Sequence, residues 1–424
     1  MAKHRRYFDN AATSFPKPPQ VASAVVRYMT RLGAPGRGTY TEARSAAALI
    51  DQCRERISRL VNGPGAGRVV FTHNTTDALN LAIKGVLRHA LASRRGRVHA
   101  VTTCTEHNSV LRPLRAMAAE SARVDVTIIA CDPSSGQVSV DELLDAVRPG
   151  QTALVAVNHA SNVTGTLQPL SLIGPAVRAA GDWRPLLLVD GAQSLGHTPF
   201  DMAGWCVDLL AFPGHKGLLG PQGTGGLVIA AGAEGLVNPL REGGTGNRSE
   251  LEQHPDTLPD KYEAGSHNTA GIIGLSEGVR WLVAQRDGSV EGAAAVRARE
   301  ERLMLRMLNG LAAIPGLRVL GPTAPADRVG VFSIVHASAA PAEIAQSMEA
   351  RHGIITRAGL HCAPLMHRAI GTAPARGPGA GTVRLSLGPF LTEHDVDSAV
   401  GAIENCCGTP RLIRKPRSAL PVSG

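Results

Sequence analysis

The 424-residue sequence predicts an α/β protein: a large domain with a mainly parallel seven-stranded sheet between helices, and a smaller α+β domain beside it. Three observations predict it. From about residue 68, short apolar runs alternate with longer amphipathic stretches, which is the pattern of strand–helix–strand units. Most of the short runs are apolar throughout, as expected of strands covered on both faces. Beyond about residue 285 the rhythm changes, and a long helical stretch gives way to fewer, shorter strand candidates.

The strand candidates of the large domain are residues 69–71, 98–103, 126–130, 153–157, 186–189, 209–212 and 226–229. Each is short, rich in Val, Ile or Leu, and set off by polar residues or glycine. Helical periodicity falls between them at 75–92, 110–119, 140–147 and 170–180. Residues 290–311 are rich in Ala, Arg, Glu and Leu and read as a long helix. Strands at 331–335 and 382–387 and helices at 341–352 and 393–405 complete the smaller unit, with a Gly- and Pro-rich loop at 371–381. The expected division is a large domain at 21–284 and a small one from 1–20 and 285–408, followed by a basic, disordered tail at 409–424.

Composition narrows the function. A hydrophobic fraction of 43% with 19% charged residues is that of a soluble globular protein. No apolar run reaches the 18 or so residues of a membrane span, and the N-terminus lacks the apolar core of an export signal, so a cytoplasmic protein is expected. The net charge is +9, carried mostly at the ends by Lys3, Arg5, Arg6, Arg411, Arg414, Lys415 and Arg417. Two basic ends on a nearly neutral body read as solvated termini. With 3% aromatics there is no platform for stacking bases, so nucleic acid is not an expected partner. The seven cysteines are odd in number and none has CxxC spacing, which argues against a disulfide framework or a zinc site. Most should be small buried hydrophobes.

Three local patterns carry chemistry. In Phe212-Pro213-Gly214-His215-Lys216-Gly217, a single lysine sits in a glycine-rich turn after an apolar strand. Ligands bind at the carboxyl ends of such strands, and a lysine desolvated there can form an imine; the turn alone equally allows a surface lysine. Asp190 closes the strand 186–189, where it could pair with a buried cation or a protonated heterocycle, or simply cap a turn. At Thr72-His73-Asn74-Thr75-Thr76, a strand ends and a helix begins, a place that attracts phosphate or is merely N-capped. Together the three describe pyridoxal 5'-phosphate (PLP): a phosphate, a pyridinium nitrogen and an aldehyde, each with its partner. No GxGxxG or GxxxxGK[ST] motif suggests a different nucleotide cofactor.

The order Asp9-Asn10-Ala11-Ala12, Thr75-Thr76, Glu106-His107-Asn108-Ser109, Asn162-Val163-Thr164-Gly165-Thr166, Asp190-Gly191-Ala192-Gln193-Ser194 and Gly214-His215-Lys216 resembles the class V aminotransferases, and within them the cysteine desulfurase and selenocysteine lyase branch. The resemblance runs from residue 7 to about residue 400 and implies the PLP-dependent transferase fold of type I. It implies that Lys216 binds the cofactor covalently, Asp190 pairs with its ring nitrogen and Gln193 with its phenolic oxygen. His107 stacks on the ring, or alternatively caps a helix or sits in the core. Thr75, Thr76 and His215 bind the phosphate, and Asn162 lies near ring and substrate. Arg384 takes the substrate carboxylate, for which a guanidinium fork is suited. Thr245, in Gly243-Gly244-Thr245-Gly246, reaches the phosphate of a partner subunit, which implies a homodimer.

The segment Arg357-Ala358-Gly359-Leu360-His361-Cys362 resembles the short active-site loop of the SUF-type (group II) desulfurases. It implies that Cys362 is the nucleophile that removes sulfur from L-cysteine, leaving L-alanine and a persulfide to be passed to an acceptor protein, iron–sulfur assembly being one destination. His361 and Arg357 are neighbouring cations that could favour the thiolate, and Arg357 also stands near the expected substrate. Leu360 replaces a histidine found in many relatives, and the segment after Gly243 is closer to a desulfurase-like subgroup. The alternative is another class V enzyme, such as a selenocysteine lyase, C–S lyase, epimerase or aminotransferase, that does not need Cys362.

Overall fold

The computed structural model describes residues 5–35, 38–180, 185–246, 248, 250–283, 290–373 and 381–407. The basic stretches at 1–4 and 408–424 and most of the Gly- and Pro-rich loop, 374–380, lie outside the described residues.

The seven expected strands form one seven-stranded sheet. Its spatial order is Val69–Thr72, Gly225–Ile229, Leu209–Pro213, Leu186–Asp190, Thr152–Asn158, Val98–Thr103, Val124–Ile129. Every pairing is parallel except those of Gly225–Ile229, which runs antiparallel to both neighbours. Helices connect the parallel strands from Val98–Thr103 to Leu186–Asp190, the link from Leu186–Asp190 to Leu209–Pro213 is made of turns, and burial on both faces explains the unbroken apolar runs. Successive side chains alternate between the two faces. Val155, Val157, Leu187, Val189, Leu210 and Phe212 pack on one side with the helices Leu170–Arg178 and Thr269–Val283. Leu154, Ala156, Leu186, Leu188, Leu209 and Ala211 pack on the other with the helices Thr75–Ser93 and Asn108–Glu120.

A four-stranded antiparallel sheet, ordered Arg357–Gly359, Thr382–Ser386, Val331–His336, Leu317–Leu320, is covered by the helices Val290–Ala312, Pro341–His352 and Glu393–Cys407. The chain's beginning joins it: Arg6–Tyr7 pairs in parallel with Ile354–Ile355, and Asp9 bridges Ser386. The segment from Asp9 to Lys17 then crosses to the large sheet.

Four helices have no counterpart among those the sequence predicts: Pro19–Arg31, Thr41–Leu60, Thr269–Val283 and the short Pro364–Ala369. Pro19–Arg31 and Thr41–Leu60 both pack on Thr269–Val283. Among the described residues no helix is long and apolar enough to cross a membrane.

Candidate active site

Strand ends position the site. Val69–Thr72 delivers its chain to the N-terminus of the helix Thr75–Ser93, and Val98–Thr103 delivers Glu106 and His107 to the start of Asn108–Glu120. Asn158 and Asp190 lie in register at the ends of adjacent parallel strands. Leu209–Pro213 is next, and Lys216 follows in its turn. The carboxyl ends thus enclose a cavity of about 540 Å³, counted to its open mouth, lined by Asn74, Thr75, Thr76, His107, Ser109, Asn158, Ala160, Asn162, Asp190, Ala192, Gln193, His215 and Lys216. Of the residues expected from sequence, Thr75, Thr76, His107, Asn162, Asp190, Gln193, His215 and Lys216 meet here.

One end suits an anion. Asn74 Oδ1 accepts the Asp77 N–H at 2.9 Å and caps the helix, leaving the N–H groups of its first turn directed at the cavity. His215 stands across from them with Nδ1 buried and unpartnered among the described residues. Burial holds its ring neutral, with a pKa near 4, and Lys216 and Lys17 push in the same direction.

At the other end the Asp190 carboxyl accepts the Ala192 N–H at 2.9 Å. Burial raises its pKa, which the hydrogen bond and Lys216 oppose. Burial also pushes the Lys216 amine down to about 8; Asp190 counters this, while Arg384 and Arg357 reinforce it. An amine so tuned is partly neutral near physiological pH and can act as nucleophile or base. Of the alternatives open for His107, the structure shows the helix cap, on a residue that also lines the cavity. Its Nδ1 accepts the Ser109 N–H at 3.1 Å and caps the helix, while its ring lines the cavity. With Nδ1 an acceptor and a pKa lowered by burial to about 4, the ring is neutral and carries its proton on Nε2.

Cys362, Arg357, Arg384 and Thr245 do not line this cavity. Cys362 borders the adjoining groove, which shares Thr76, His107 and Ser109 with the cavity. Of the seven thiols only Cys362 is exposed; three are buried and three half-buried, fewer buried than composition suggested. Its backbone has φ of +60° and that of His361 +48°, a left-handed pair that side chains rarely adopt. The pair is tied down at both ends: Asn108 N–H donates to the Cys362 carbonyl at 2.8 Å, and Asn162 Nδ2 to that of His361 at 2.6 Å. His361 is not the cation expected beside the thiol. Its ring is buried on Thr382 Oγ1, and burial pushes its pKa down to about 2, so it stays neutral. Arg357 is exposed and pairs in register with Arg384 across the small sheet.

Arg384 is 2% exposed. Its Nη2 donates to Asp9 Oδ1 at 2.7 Å and its Nη1 to the Asn162 carbonyl at 3.3 Å, while Nε is unpartnered among the described residues. Gln193 Nε2 donates to the Ala11 carbonyl at 3.0 Å. Thr245 is half-buried on a segment away from this cavity.

The donor set fits pyridoxal phosphate. A helix N-terminus with two threonines and a buried, unpartnered imidazole nitrogen faces an anion, a buried carboxyl faces a ring nitrogen, and a lysine amine lies between. Asn158 and Ser109 are lining residues that the sequence reading did not assign. Asn158 carries a signal that was available, since it closes an apolar strand as Asp190 does.

The aminotransferase class-V family profile matches residues 6–398. A probable cysteine desulfurase of Methanothermobacter thermautotrophicus is 32% identical, over 95% of this chain and 94% of its own. Probable cysteine desulfurase 2 of Mycobacterium leprae is 31% identical, over 94% and 90%. Among solved structures, the apo cysteine desulfurase of Thermococcus onnurineus NA1 superposes with a TM-score of 0.82 at 28% identity, covering 95% of both chains. The cysteine desulfurase CsdA of Escherichia coli gives 0.78 at 27% identity, covering 94% of both.

Proposed function

The chain belongs to the class-V aminotransferase family, and from that premise we propose that it is a PLP-dependent cysteine desulfurase that holds sulfur as a persulfide on Cys362. The observation that carries this reading is the relation of Cys362 to the lysine cavity. The single exposed thiol stands in a strained, tethered loop on a groove that shares His107, Thr76 and Ser109 with that cavity.

Bound there, pyridoxal phosphate supplies an electron-withdrawing ring that makes the substrate's Cα–H acidic. The protein's residues do the rest. Thr75, Thr76 and the first-turn N–H groups bind the phosphate with His215. Asp190 keeps a proton on the ring nitrogen. His107 covers the ring, and Gln193 and Asn162 orient it. Lys216 would hold the cofactor through its amine and, once that amine is released, would move the proton from Cα. Arg384 binds the substrate carboxylate, with Arg357 beside it. Cys362 Sγ attacks the substrate sulfur; an S–S bond forms and the substrate's C–S bond breaks. That bond's electron pair stays on the substrate's β-carbon, which takes up one proton, and the return of a proton to Cα completes L-alanine. The persulfide then passes to an acceptor protein. The working unit is a homodimer in the cytoplasm, with Thr245 of each chain reaching the other's phosphate.

The test is alanine and sulfide release from L-cysteine with a reductant, for wild type and Cys362→Ala, while recording the cofactor's absorption. Wild-type turnover that the variant loses, with the cofactor retained in both, supports the reading. Equal turnover by the variant would assign the chain to another class V reaction.

A further inference from the structure

The residues that hold the lysine turn from behind come from the chain's far end. The His215 carbonyl faces four donor atoms from the crossing segment: Ser14 N at 3.1 Å, Thr13 Oγ1 at 3.1 Å, Ser14 Oγ at 3.2 Å and Lys17 Nζ at 2.7 Å. Lys17 Nζ also donates to Ser14 Oγ at 2.7 Å, and Ser14 Oγ donates to the Lys216 carbonyl at 2.8 Å. A hydroxyl has one proton to give, so the shorter contact defines a relay from the Lys17 ammonium through Ser14 to the Lys216 carbonyl. Lys17 is half-buried, and among the described residues no carboxylate lies within ion-pairing distance of it. Burial lowers its pKa to about 8.

A half-buried ammonium without a carboxylate is costly, and its charge is turned directly on the His215 carbonyl and, through the Ser14 hydroxyl, on that of Lys216. Those carbonyls belong to the residue proposed to bind phosphate and to the lysine itself. Fixing them fixes the peptide planes from which both side chains project. The same segment donates from Ala11 N–H to Ser386 Oγ and accepts from Gln193 and Arg384.

We propose that Lys17 is a positioning residue for the cofactor lysine: through His215 O and the Ser14 relay it orients Lys216 and His215 to capture pyridoxal phosphate. The inference rests on the cofactor assignment made above, but not on the identity of the amino-acid substrate. Lys17 does not line the cavity.

The experiment compares wild type, Lys17→Met, Lys17→Arg and Ser14→Ala, each as full-length chain. The readouts are the dissociation constant for pyridoxal phosphate, the circular dichroism of the bound cofactor's absorption band per cofactor bound, and the thermal midpoint of the cofactor-free protein. Lys17→Met should bind about tenfold more weakly, the scale of one charge-assisted hydrogen bond, with a diminished cofactor signal. Lys17→Arg should recover part of both, and Ser14→Ala should move both in the same direction by less. A purely structural role would lower the thermal midpoint while leaving the signal per bound cofactor unchanged, and would overturn the proposal. Should Lys17→Met not fold, Ser14→Ala and Lys17→Arg decide by the same signal. A wild type that binds no pyridoxal phosphate overturns the cofactor assignment and the proposal with it. A wild type that binds it beside variants of equal affinity and signal overturns the proposal alone.

Discussion

Arg384, on the small sheet, and Asp9, 375 residues earlier, form an ion pair at 2.7 Å with the arginine 2% exposed. The guanidinium proposed to seat the substrate carboxylate therefore already holds a carboxylate of its own. Its Nε has no partner among the described residues.

Neutralising Asp9 has two expected effects. Asp9→Asn leaves the buried guanidinium without its counter-charge, at a cost of about 3–5 kcal/mol of stability by denaturant unfolding. It also removes a competing anion, so KM for L-cysteine should fall about tenfold, one moderately screened charge interaction. A KM equal to that of wild type would mean that Asp9 and the substrate carboxylate do not share Arg384.

Glu106 gives a pH prediction of opposite sign to that of an ordinary carboxylate. It is fully buried at the strand end before His107, with Oε1 accepting the Asn158 N–H at 2.9 Å and the Thr103 hydroxyl at 2.7 Å, and Oε2 without a partner among the described residues. Burial raises its pKa to about 8, against the two hydrogen bonds. The folded state thus binds a proton that the unfolded chain releases near pH 4.5. The stability it contributes is fully present below that pH and is lost as pH rises to about 8. Glu106→Gln keeps both accepted hydrogen bonds and cannot ionise. Its thermal midpoint should fall less than that of wild type between pH 5 and 8. Parallel curves would show that Glu106 is already ionised in the fold.

Gly196 and Gly217 bring two turns into contact. A Cβ on Gly196 would lie 2.2 Å from the Gly217 carbonyl oxygen, in the lysine turn, and Gly196 has φ of +87°. Gly232 has φ of +85° but open space around its Cβ position. Gly232→Ala should cost about 1 kcal/mol through backbone strain alone. Gly196→Ala should cost at least about 2 kcal/mol more and weaken pyridoxal phosphate binding, because the lysine turn must move. Equal costs for the two variants would remove the steric coupling from the account.

Much of this was legible in the sequence. The seven strands of the large sheet were readable because burial on both faces writes unbroken apolar runs, and the residues at their carboxyl ends announced the cavity. The helices Pro19–Arg31 and Thr41–Leu60 were not, because each buries only a narrow stripe, and Val26, Met29 and Arg59 stand in solvent. Nor could the sequence reveal Asp9 on Arg384 or Lys17 on His215, contacts that exist only once the two sheets are assembled. His361 shows the same limit from the electrostatic side: adjacency to Cys362 suggested a cation, and burial makes it a neutral support.

The antiparallel strand Gly225–Ile229 sets a schedule on synthesis. Val69–Thr72, which carries the helix that opens the phosphate end of the cavity, has that strand as its sheet neighbour. About 150 residues separate the two, so at roughly 5–20 residues per second the earlier strand waits on the order of 10–30 s for its partner to be made. Lys216, Asp190 and His107 are all synthesised in that interval. The pocket therefore cannot close around a cofactor during most of translation, and the nascent chain holds an unsatisfied strand edge for as long as the wait lasts.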